Sequence, residues 1–530
     1  MRYSMTQPDT DGAGEEFARI FAAAGLTQVE AATARTRGRG PFKRLVLRGA
    51  SIIDGTGAPP WGPADLVVEN GRIAVLKKVG TPKLPINSDC RPAAGDFEID
   101  CTGKFLTPGL VDCHAHIGAP FHAQNGPMPN ADYVYKLWLA HGVTTVRETG
   151  CFNGLQWTLQ QKQAAADHRI DAPRILAYAP FPGAHDYVKT IHTPEDARRW
   201  LQAVKDRGAD GIKFFGAPPA LMKAALEQCR GLGLRTCCHH AQLAVGRMNS
   251  LRTAQWGLTS TEHSYGIPEA LLDGQTLQSF PSDYDYNDEY LRFSTAGQTF
   301  LQAAKPGSQK WNEVLQAFLQ AGHTFVPTFN IYDGNRDLMR TRRADWHDRF
   351  TDPILWAYFQ PRRGGHGAYW YRWSTTNEVE WRETFRLWMG FVNDYKNLGG
   401  RVCVGSDSGF MFQTYGFGVV RELELLQEAG FTPLEVLRAA TTWGAELLGV
   451  EEDLGTLEVG KLADILVHDE NPLNDFKLLY GTGAMRLDDS TASVVWKRSI
   501  SNVIKEGTVF DPTELLADVE KMVKARRRVA

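Results

Sequence analysis

The feature that most constrains the fold is a series of eight short apolar segments that alternate with helical stretches between about residues 105 and 455. The eight segments are GLVDCHAH, VTTVRET, RILAYAP, DGIKFFG, LRTCCHH, LTSTEHS, HTFVPTF and RVCVGSD. Strands that alternate with helices form a parallel sheet covered by helices, and eight such units are the number that closes a barrel. The sequence therefore predicts an α/β fold, a (β/α)8 TIM barrel over residues 105–455.

Short β-rich runs punctuated by glycine flank the barrel region on both sides. They cover residues 43–104, where Asn70-Gly71 is a strong signal for a two-residue hairpin turn, and residues 456–512. Two β-rich pieces at opposite ends of one chain predict one small β-sandwich domain to which both ends contribute. Outside it we expect a polar N-terminal arm with one helix over residues 15–24, and a C-terminal helix with a basic tail; these segments are residues 1–42 and 513–530.

Two connections within the barrel region are longer than a barrel link requires. They span residues 268–320 and 333–395, and the second contains the aromatic run WAYFQPRRGGHGAYWYRW. Loops of this length in a compact domain usually cover an active site or contact another chain. The aromatic insertion therefore favours either a cover over a bulky or aromatic small-molecule substrate, or a contact surface of a homo-oligomer.

Composition excludes several classes of partner for this chain of 530 residues. A net charge of −3 argues against nucleic acid or an anionic membrane. No apolar stretch approaches the roughly 18–20 residues of a membrane helix, and the first residues lack the apolar core of a secretory signal. The eight cysteines have no spacing typical of a small disulfide scaffold, so we expect reduced thiols and a cytoplasmic protein.

Two histidines stand one residue apart at the end of the first predicted strand. Side chains at positions i and i+2 of a strand point to the same side, so His114 and His116 can both aim into the barrel mouth, where the active residues of such barrels lie. Two neutral imidazoles on one side make half of a zinc-type site. The pair alone is a weak signal, because the same spacing also occurs on solvated strands.

Four further strand ends carry residues of metal-ligand type or a buried charge. Strand four places Lys213 in an apolar run, where a free ammonium is costly to bury. The other three strands end in histidine or aspartate: His239-His240, His263 and Asp407. Each alone has an ordinary structural interpretation, such as a hydrogen-bonded core histidine or a helix-capping aspartate. Together, at the ends of five strands, they predict a metal site. Adjacent strand residues face opposite ways, so only one of His239 and His240 can face the mouth.

These segments resemble the amidohydrolase superfamily of metal-dependent hydrolases. The motifs that carry the resemblance are PGLVDCHAH, GADGIKFFG, CCHHAQ, STEHSYG, CVGSDSG and the closing stretch TPLEVLRAATTWGAELLGVEEDLGTLEVGKLADILVHDENPL. The resemblance covers about residues 44–510. Within the superfamily the chain most resembles the imidazolonepropionase- and prolidase-like branch, in which a lysine of strand four is carboxylated and bridges two divalent metals.

The resemblance implies a ligand set for two divalent metal ions, with zinc as the expected metal. His114 and His116 would hold the more buried ion together with Asp407. Lys213 would bridge the two ions as a carbamate formed from carbon dioxide, which turns a costly buried cation into an anionic ligand.

The outer ion would be held by a histidine of strand five and by His263 of strand six. In the family the strand-five ligand comes six residues after a glycine, and the same count from Gly233 favours His239 over His240.

The chemistry that the resemblance implies is hydrolysis of an amide-type C–N bond. Two metals would lower the pKa of a bridging water, and the resulting hydroxide would attack the substrate carbonyl. Asp407 would take the proton and deliver it to the leaving nitrogen. We expect a binuclear amidohydrolase acting on an N-acyl or aryl amide or a hydrophobic dipeptide. A cyclic-amide hydrolase of the imidazolonepropionase type and a metal-dependent decarboxylase are the alternatives; a non-catalytic scaffold is disfavoured, because all six ligand positions are retained.

Residues that follow strands one, three and seven are candidates for contact with substrate. They are His122, His185, Tyr187, Asn330 and Tyr332. After the strand-eight aspartate the branch often carries a His-Gly pair, where this chain has Tyr415-Gly416. Tyr415 is therefore a further candidate, and its presence weakens the case for a dipeptide substrate.

Overall fold

A computed structural model of the chain describes residues 28–184, 187–188, 191–242, 244–275, 277–363 and 365–528. The expected helix over residues 15–24 lies outside these described residues, and so does the candidate contact residue His185.

Strands and helices alternate through the middle of the chain, and strands predominate on either side of it. The strands are β1 (Arg44–Ile52), β2 (Trp61–Glu69), β3 (Arg72–Lys78), β4 (Phe97–Asp100), β5 (Phe105–Pro108), β6 (Leu110–Ala115), β7 (Val143–Thr149), β8 (Arg174–Phe181), β9 (Gly183–Ala184), β10 (Tyr187–Val188), β11 (Gly211–Phe214), β12 (Arg235–His239), β13 (Ser260–Glu262), β14 (Thr324–Val326), β15 (Arg401–Val402), β16 (Ile465–His468), β17 (Ala484–Asp488), β18 (Ser493–Lys497), β19 (Ile500–Lys505) and β20 (Thr508–Phe510).

The helices cover the barrel and its two long connections. They are α1 (Asp132–Ala140), α2 (Leu155–Ala166), α3 (Pro194–Asp206), α4 (Pro219–Gly231), α5 (Ser250–Gln255), α6 (Ile267–Ala270), α7 (Glu289–Ala296), α8 (Gln309–Gln320), α9 (Phe329–Arg336), α10 (Leu338–Arg342), α11 (His347–Phe350), α12 (Pro353–Tyr358), α13 (Thr375–Asn397), α14 (Phe417–Glu428), α15 (Pro433–Ala439), α16 (Thr442–Leu448) and α17 (Pro512–Arg527). No helix among the described residues is long and apolar enough to cross a membrane.

The eight segments predicted as barrel strands form one parallel sheet. Its strand order is β6, β7, β8, β11, β12, β13, β14 and β15. The last strand meets the first through two backbone hydrogen bonds: the Cys113 amide donates to the Val404 carbonyl at 2.9 Å, and the Asp407 amide donates to the His114 carbonyl at 2.7 Å. The sheet is thereby closed, and the predicted (β/α)8 barrel is confirmed.

A second eight-stranded sheet is built from both ends of the chain. Its order is β20, β19, β16, β5, β1, β2 and β3, with β4 paired to β1. The β2–β3 hairpin turns at Asn70 and Gly71, whose φ angles of 50° and 75° are the left-handed values that a type I′ turn requires. The expected β domain, assembled from both chain ends, is therefore present beside the barrel.

The aromatic residues of the second long connection pack within the chain itself. Tyr358, Tyr369, Trp381 and Trp388 are all fully buried. Trp381, for example, stacks on Tyr332 with ring centroids 5.6 Å apart and donates its indole N–H to the Phe293 carbonyl at 2.9 Å. These rings therefore reach their burial without a second chain.

A buried ion pair crosses the barrel interior beneath the mouth. Arg147 of β7 donates to both carboxylate oxygens of Glu262 on β13, at 2.9 and 2.8 Å, and to the Ser260 hydroxyl at 3.1 Å. Both charged residues are fully buried. Burial would raise the pKa of the Glu262 carboxyl, but the neighbouring guanidinium outweighs it and holds that pKa far below its usual range. The pair therefore stays ionised in the core.

We predict that Arg147→Met lowers the stability of the barrel strongly. The substitution leaves the Glu262 carboxylate buried without its counter-charge, and loss of one partner of a buried pair typically costs about 3–5 kcal/mol. Urea denaturation followed by tryptophan fluorescence measures the loss. The double variant Arg147→Met/Glu262→Gln should recover part of it, because no charge is left unpaired.

The matched control is Arg386→Met, which removes an exposed arginine 2.7 Å from Glu383 on α13. Exposed pairs contribute about 0–1 kcal/mol, so this variant should denature close to the wild-type urea concentration. Equal denaturation midpoints for Arg147→Met and Arg386→Met would show that the core pair contributes no more than a surface pair.

Candidate metal centre

A cavity of about 300 Å³ opens at the carboxyl ends of the barrel strands. All six residues of the expected ligand set line it: His114, His116, Lys213, His239, His263 and Asp407. They come from the ends of β6, β11, β12, β13 and β15, because parallel strands in a barrel direct their carboxyl ends to one face.

The Asp407 carboxylate lies among three imidazoles. Nε2 of His116 is 3.1 Å from Oδ1 of Asp407, Nε2 of His114 is 3.7 Å from the same oxygen, and Nε2 of His263 is 3.8 Å from Oδ2. One ligand atom from each of His114, His263 and Asp407 lies within 4.8 Å of the others. Zinc binds such atoms at about 2.0–2.2 Å, so two ligands of one ion lie roughly 3–4 Å apart. The spacing of these donors fits a shared divalent ion.

The outer nitrogens of two of these histidines are held by partners. Nδ1 of His114 is 2.5 Å from Oε2 of Glu262, and Nδ1 of His263 is 2.6 Å from the Thr328 hydroxyl. Each contact orients its ring so that Nε2 points at Asp407. Ligating histidines almost always have such a partner, which fixes the ring and its tautomer.

Two candidate ligands and the residue that holds one of them have left-handed backbones. The φ angles are 63° at His263, 46° at Asp407 and 52° at Thr328. Such values are uncommon for residues other than glycine and cost roughly 1–3 kcal/mol each. At His263 the turn has a visible consequence: the side chains of Glu262 and His263 both approach His114, although neighbours in a regular strand would face opposite ways.

The amine of Lys213 lies in the cavity wall without a hydrogen bond. The residue is 1% exposed, and its Nζ has no hydrogen-bond partner among the described residues. It lies 5.3 Å from the centroid of the Phe215 ring. A buried ammonium in such surroundings is costly, so the amine suits conversion to a group that a metal can bind.

The two adjacent histidines of strand five point in different directions. His239 lines the cavity, with its ring centroid 4.6 Å from that of His263. His240 lies outside the cavity lining, where its Nε2 is 2.8 Å from the hydroxyl of Thr253 on α5. Strand alternation thus brings His239, and not His240, to the other candidate ligands.

The protonation states of the cluster suit a cation. Burial would raise the pKa of the Asp407 carboxyl, but its imidazole neighbours outweigh burial and hold that pKa far below its usual range. Burial, reinforced by the nearby Lys213, lowers the pKa of His114 to about 4, and burial lowers the pKa of His239 further. At neutral pH these groups offer a carboxylate and neutral imidazoles, the forms that bind metal. Burial would lower the pKa of His116, but the carboxylates of Asp407 and Glu148 outweigh it and raise that pKa to about 9, so this ring must lose a proton when a metal binds.

Of the candidate substrate contacts, Tyr332 borders the cavity. Its ring centroid lies 5.7 Å from that of His263. The backbone of Tyr187 lies in β10, and His185 is outside the described residues.

The other three candidates are fully buried but do not line the cavity. His122 packs between Tyr358 and Phe410, with ring centroids 4.8 and 5.2 Å away. Asn330 donates its backbone N–H to the Glu422 carboxylate at 2.7 Å at the start of α9, and the Tyr415 ring packs edge-on against Trp138. We therefore assign these three residues to the packing behind the site: His122, Asn330 and Tyr415.

Several residues at the site escaped the sequence analysis. Arg147 and Glu262 are charged residues within apolar strands, so the burial argument that identified Lys213 also applies to them. The remaining cavity residues lie in loops or insertions, where no periodicity marks them: Phe121, Phe152, Phe215, Ala241, Tyr286, Arg292, Phe293, Ile331, His366, Phe410 and Met411.

Curated relatives match part of this chain. It is similar to a dihydroorotase of Geobacter metallireducens, 26% identical over 248 residues, which are 44% of this chain and 51% of the relative. It is also similar to a dihydropyrimidinase of Rattus norvegicus, 23% identical over 299 residues and 53% of either chain. The chain thus spans about half the length of these relatives.

Solved structures match nearly the whole fold. The bottromycin amidohydrolase aligns with a TM-score of 0.59 and 20% identity over 98% of this chain and 94% of that one. A Xaa-Pro dipeptidase with bound methionine aligns with a TM-score of 0.55 and 18% identity over 88% and 100%. The A. niger ochratoxinase aligns with a TM-score of 0.55 and 16% identity over 90% and 96%.

The C-terminal part of the chain matches a family model. Residues 389–510, which contain β15, Asp407 and the return to the β domain, match the model of the amidohydrolase family. This match agrees with the resemblance to the amidohydrolase superfamily, and the solved structures share the fold of this chain.

Proposed function

We propose that the chain is a hydrolase that holds two divalent metal ions at the barrel mouth and cleaves an amide-type C–N bond. The observation that carries the proposal is the convergence of His114, His263 and Asp407 within 4.8 Å, with the buried amine of Lys213 lining the same cavity. The match to the amidohydrolase family supports it.

We assign two sets of ligands, as the resemblance to the amidohydrolase superfamily implies them. His114, His116 and Asp407 would hold the more buried ion, and His239 and His263 the outer one. Imidazole and carboxylate ligands suit zinc.

Lys213 would complete the site as a carbamate that bridges the two ions. Loss of a proton from the Lys213 ammonium gives an amine, whose nitrogen adds to the carbon of carbon dioxide and loses a second proton. The product is a carbamate whose single negative charge is shared by two oxygens. The absence of any hydrogen-bond partner for Nζ among the described residues supports this assignment.

Metal ions bound here supply a water molecule that loses a proton near neutral pH and a positive charge beside the substrate carbonyl. Asp407 would accept the proton of the attacking water and pass it to the departing nitrogen. A C–O bond forms and the C–N bond breaks, so no serine or cysteine nucleophile is required. The imidazoles around Asp407 keep its carboxylate ionised.

The cavity wall suits a bulky or aromatic substrate. An N-acyl or aryl amide or a hydrophobic dipeptide therefore fits best. The apolar side of the cavity consists mainly of phenylalanine rings: Phe121, Phe152, Phe215, Phe293 and Phe410. A cyclic amide is the second candidate class, because the curated relatives include a dihydroorotase and a dihydropyrimidinase.

The function is tested by a hydrolysis screen on zinc-loaded protein. We expect release of amine from aryl amides, N-acyl amino acids or hydrophobic dipeptides, loss of that activity with a chelator and its return with Zn²⁺. The Asp407→Asn variant serves as the inactive control. Ring opening of dihydroorotate or hydantoin without cleavage of linear amides would instead support the second candidate. Protein that binds metal but cleaves no amide contradicts the proposal.

We predict that Lys213→Ala loses the outer metal and most of the activity. The loss should be at least the roughly 10- to 100-fold that removal of an outer-shell partner typically costs. Alanine leaves space where the carbamate lay, so formate or acetate added with zinc should restore part of the rate.

The matched variant Lys213→Arg should not respond to formate, because its guanidinium fills that space and stays cationic. Metal content by elemental analysis and initial rates measure both effects. Near-normal turnover with two metals per chain in Lys213→Ala would assign the lysine a purely structural role.

We predict that His239→Ala reduces metal content from two ions to one, whereas His240→Ala retains both. His239 lines the cavity, while His240 bonds Thr253 outside it. Loss of that bond and of a fully buried ring should lower the stability of His240→Ala by about 2–5 kcal/mol, while the metal ligands are retained. Elemental analysis and thermal unfolding of the two variants measure this, and the reverse order would exclude His239 as the strand-five ligand.

A further inference from the structure

One guanidinium in the cavity wall has no part in the proposed metal site. Arg292 belongs to α7, in the first of the two long connections, yet it is only 8% exposed and lines the cavity. An arginine remains charged under all ordinary conditions. A buried cation that faces a reaction cavity requires an explanation, because its desolvation is costly.

The guanidinium is fixed on three sides. Its Nε donates to Oε1 of Gln242 at 3.2 Å, and its Nη1 donates to Oε1 of Glu289 at 3.3 Å. The rings of Tyr286 and Phe293 lie 4.7 and 5.0 Å from its central carbon. Arginine on aromatic rings is a rigid, pre-organised donor.

One edge of the guanidinium remains available to the cavity. Neither hydrogen bond uses Nη2, and that nitrogen has no hydrogen-bond partner among the residues that the structure describes. The Glu289 carboxylate does not belong to Arg292 alone, since both of its oxygens lie 3.2 Å from Nδ1 of His366. The counter-charge of Arg292 is therefore shared, which leaves the cation able to bind a second anion.

The cation faces the side of the cavity where the outer metal would lie. Gln242, which holds it, follows His239 by three residues in the sequence. Arg292 and His239 line the same cavity. An anionic substituent on the substrate could reach Arg292 from a scissile bond at the metal site.

Another part of the cavity lining is apolar. The His116 ring stacks on Phe152 with centroids 4.6 Å apart, and Phe121 packs 5.4 Å from Phe152 and 5.6 Å from Phe410. The cavity thus has a cationic wall and an aromatic wall, with the candidate metal ligands in the same lining. A molecule with a carboxylate on one side of an amide and an apolar group on the other matches both walls.

We propose that Arg292 binds the carboxylate of the substrate, and that the substrates are amides of amino acids rather than neutral aryl amides. The apolar acyl group of such a substrate lies against Phe121, Phe152 and Phe410. This inference rests on the proposed amide hydrolysis at the same site. A bidentate or charge-assisted contact of this kind is both strong and selective. The amine that hydrolysis releases is then a free amino acid.

The test compares ligands that differ only in the carboxylate. N-benzoylglycine and N-benzoyl-L-phenylalanine are paired with N-methylbenzamide and N-phenethylbenzamide, and KM and kcat are measured for each on zinc-loaded wild-type protein. We expect the acids to have KM values roughly 10- to 100-fold lower than their neutral partners, the range of a hydrogen bond to a charged group. Equal KM values within each pair overturn the proposal, whichever amides are cleaved.

Variants locate the effect. Arg292→Gln should raise KM for the acids roughly 10- to 100-fold and leave the neutral amides unchanged, while Arg292→Lys should retain part of the preference because it keeps the charge. The matched control is Arg363→Gln, an exposed arginine of the second connection that packs on Tyr371. A rise in KM of similar size for acids and neutral amides in Arg292→Gln would mean that Arg292 only holds the insertion against the barrel.

A binding measurement separates failure of this inference from failure of the proposed function. Calorimetry with N-benzoylglycine and N-methylbenzamide needs no turnover. If no amide is hydrolysed but the acid binds more tightly and Arg292→Gln removes the difference, the carboxylate site stands and the reaction is wrong. If the two ligands bind equally well to wild-type protein, the carboxylate site is wrong even when amides are hydrolysed. Thermal unfolding of Arg292→Gln and Arg292→Lys confirms that both variants are folded.

Discussion

The interaction on which the site depends is made by the Glu262 carboxylate in the barrel interior. It accepts hydrogen bonds from Arg147 and Ser260, and its second oxygen lies 2.5 Å from Nδ1 of His114. An unpaired charge at this depth is costly, so β6, β7 and β13 must meet in one register for the carboxylate to be satisfied. That register orients the His114 ring. The barrel core therefore orients this ligand of the candidate metal centre.

The strand ends complete the centre with strained backbones. His263 and Asp407 have positive φ angles, and so has Thr328, whose hydroxyl holds His263. Regular strands could not bring these side chains to one point, because the pleat alternates their directions. The closed sheet around them, including the hydrogen bond from the Asp407 amide to the His114 carbonyl, holds the strain. Backbone strain of this kind is typical of functional sites.

The sequence predicts those features of the fold and the site that follow from residue periodicity and from the cost of burying charge, and few others. Alternation of strands and helices gave the barrel. Alternation within β12 showed that only one of His239 and His240 can face the mouth, and the resemblance to the family favoured His239. The same rule fails at Glu262 and His263, because a left-handed backbone angle at histidine has no sequence signal. Nor could sequence separate Tyr332, which borders the cavity, from its near neighbour Asn330, which does not, since both lie in one short helix and only packing decides.

The barrel core and the two long insertions contribute different groups to the cavity. The candidate metal ligands lie on barrel strands or beyond their carboxyl ends, whereas Arg292 and His366 come from the two long connections and meet at Glu289 above the mouth. A rigid closed sheet can position ligands to within tenths of an ångström, while a loop tolerates substitution. Arg292 nevertheless bonds Gln242, immediately beyond β12, so the insertion is tied to the barrel on the side of His239. A cation placed there can select the charge of a substrate without disturbing the groups that react with it.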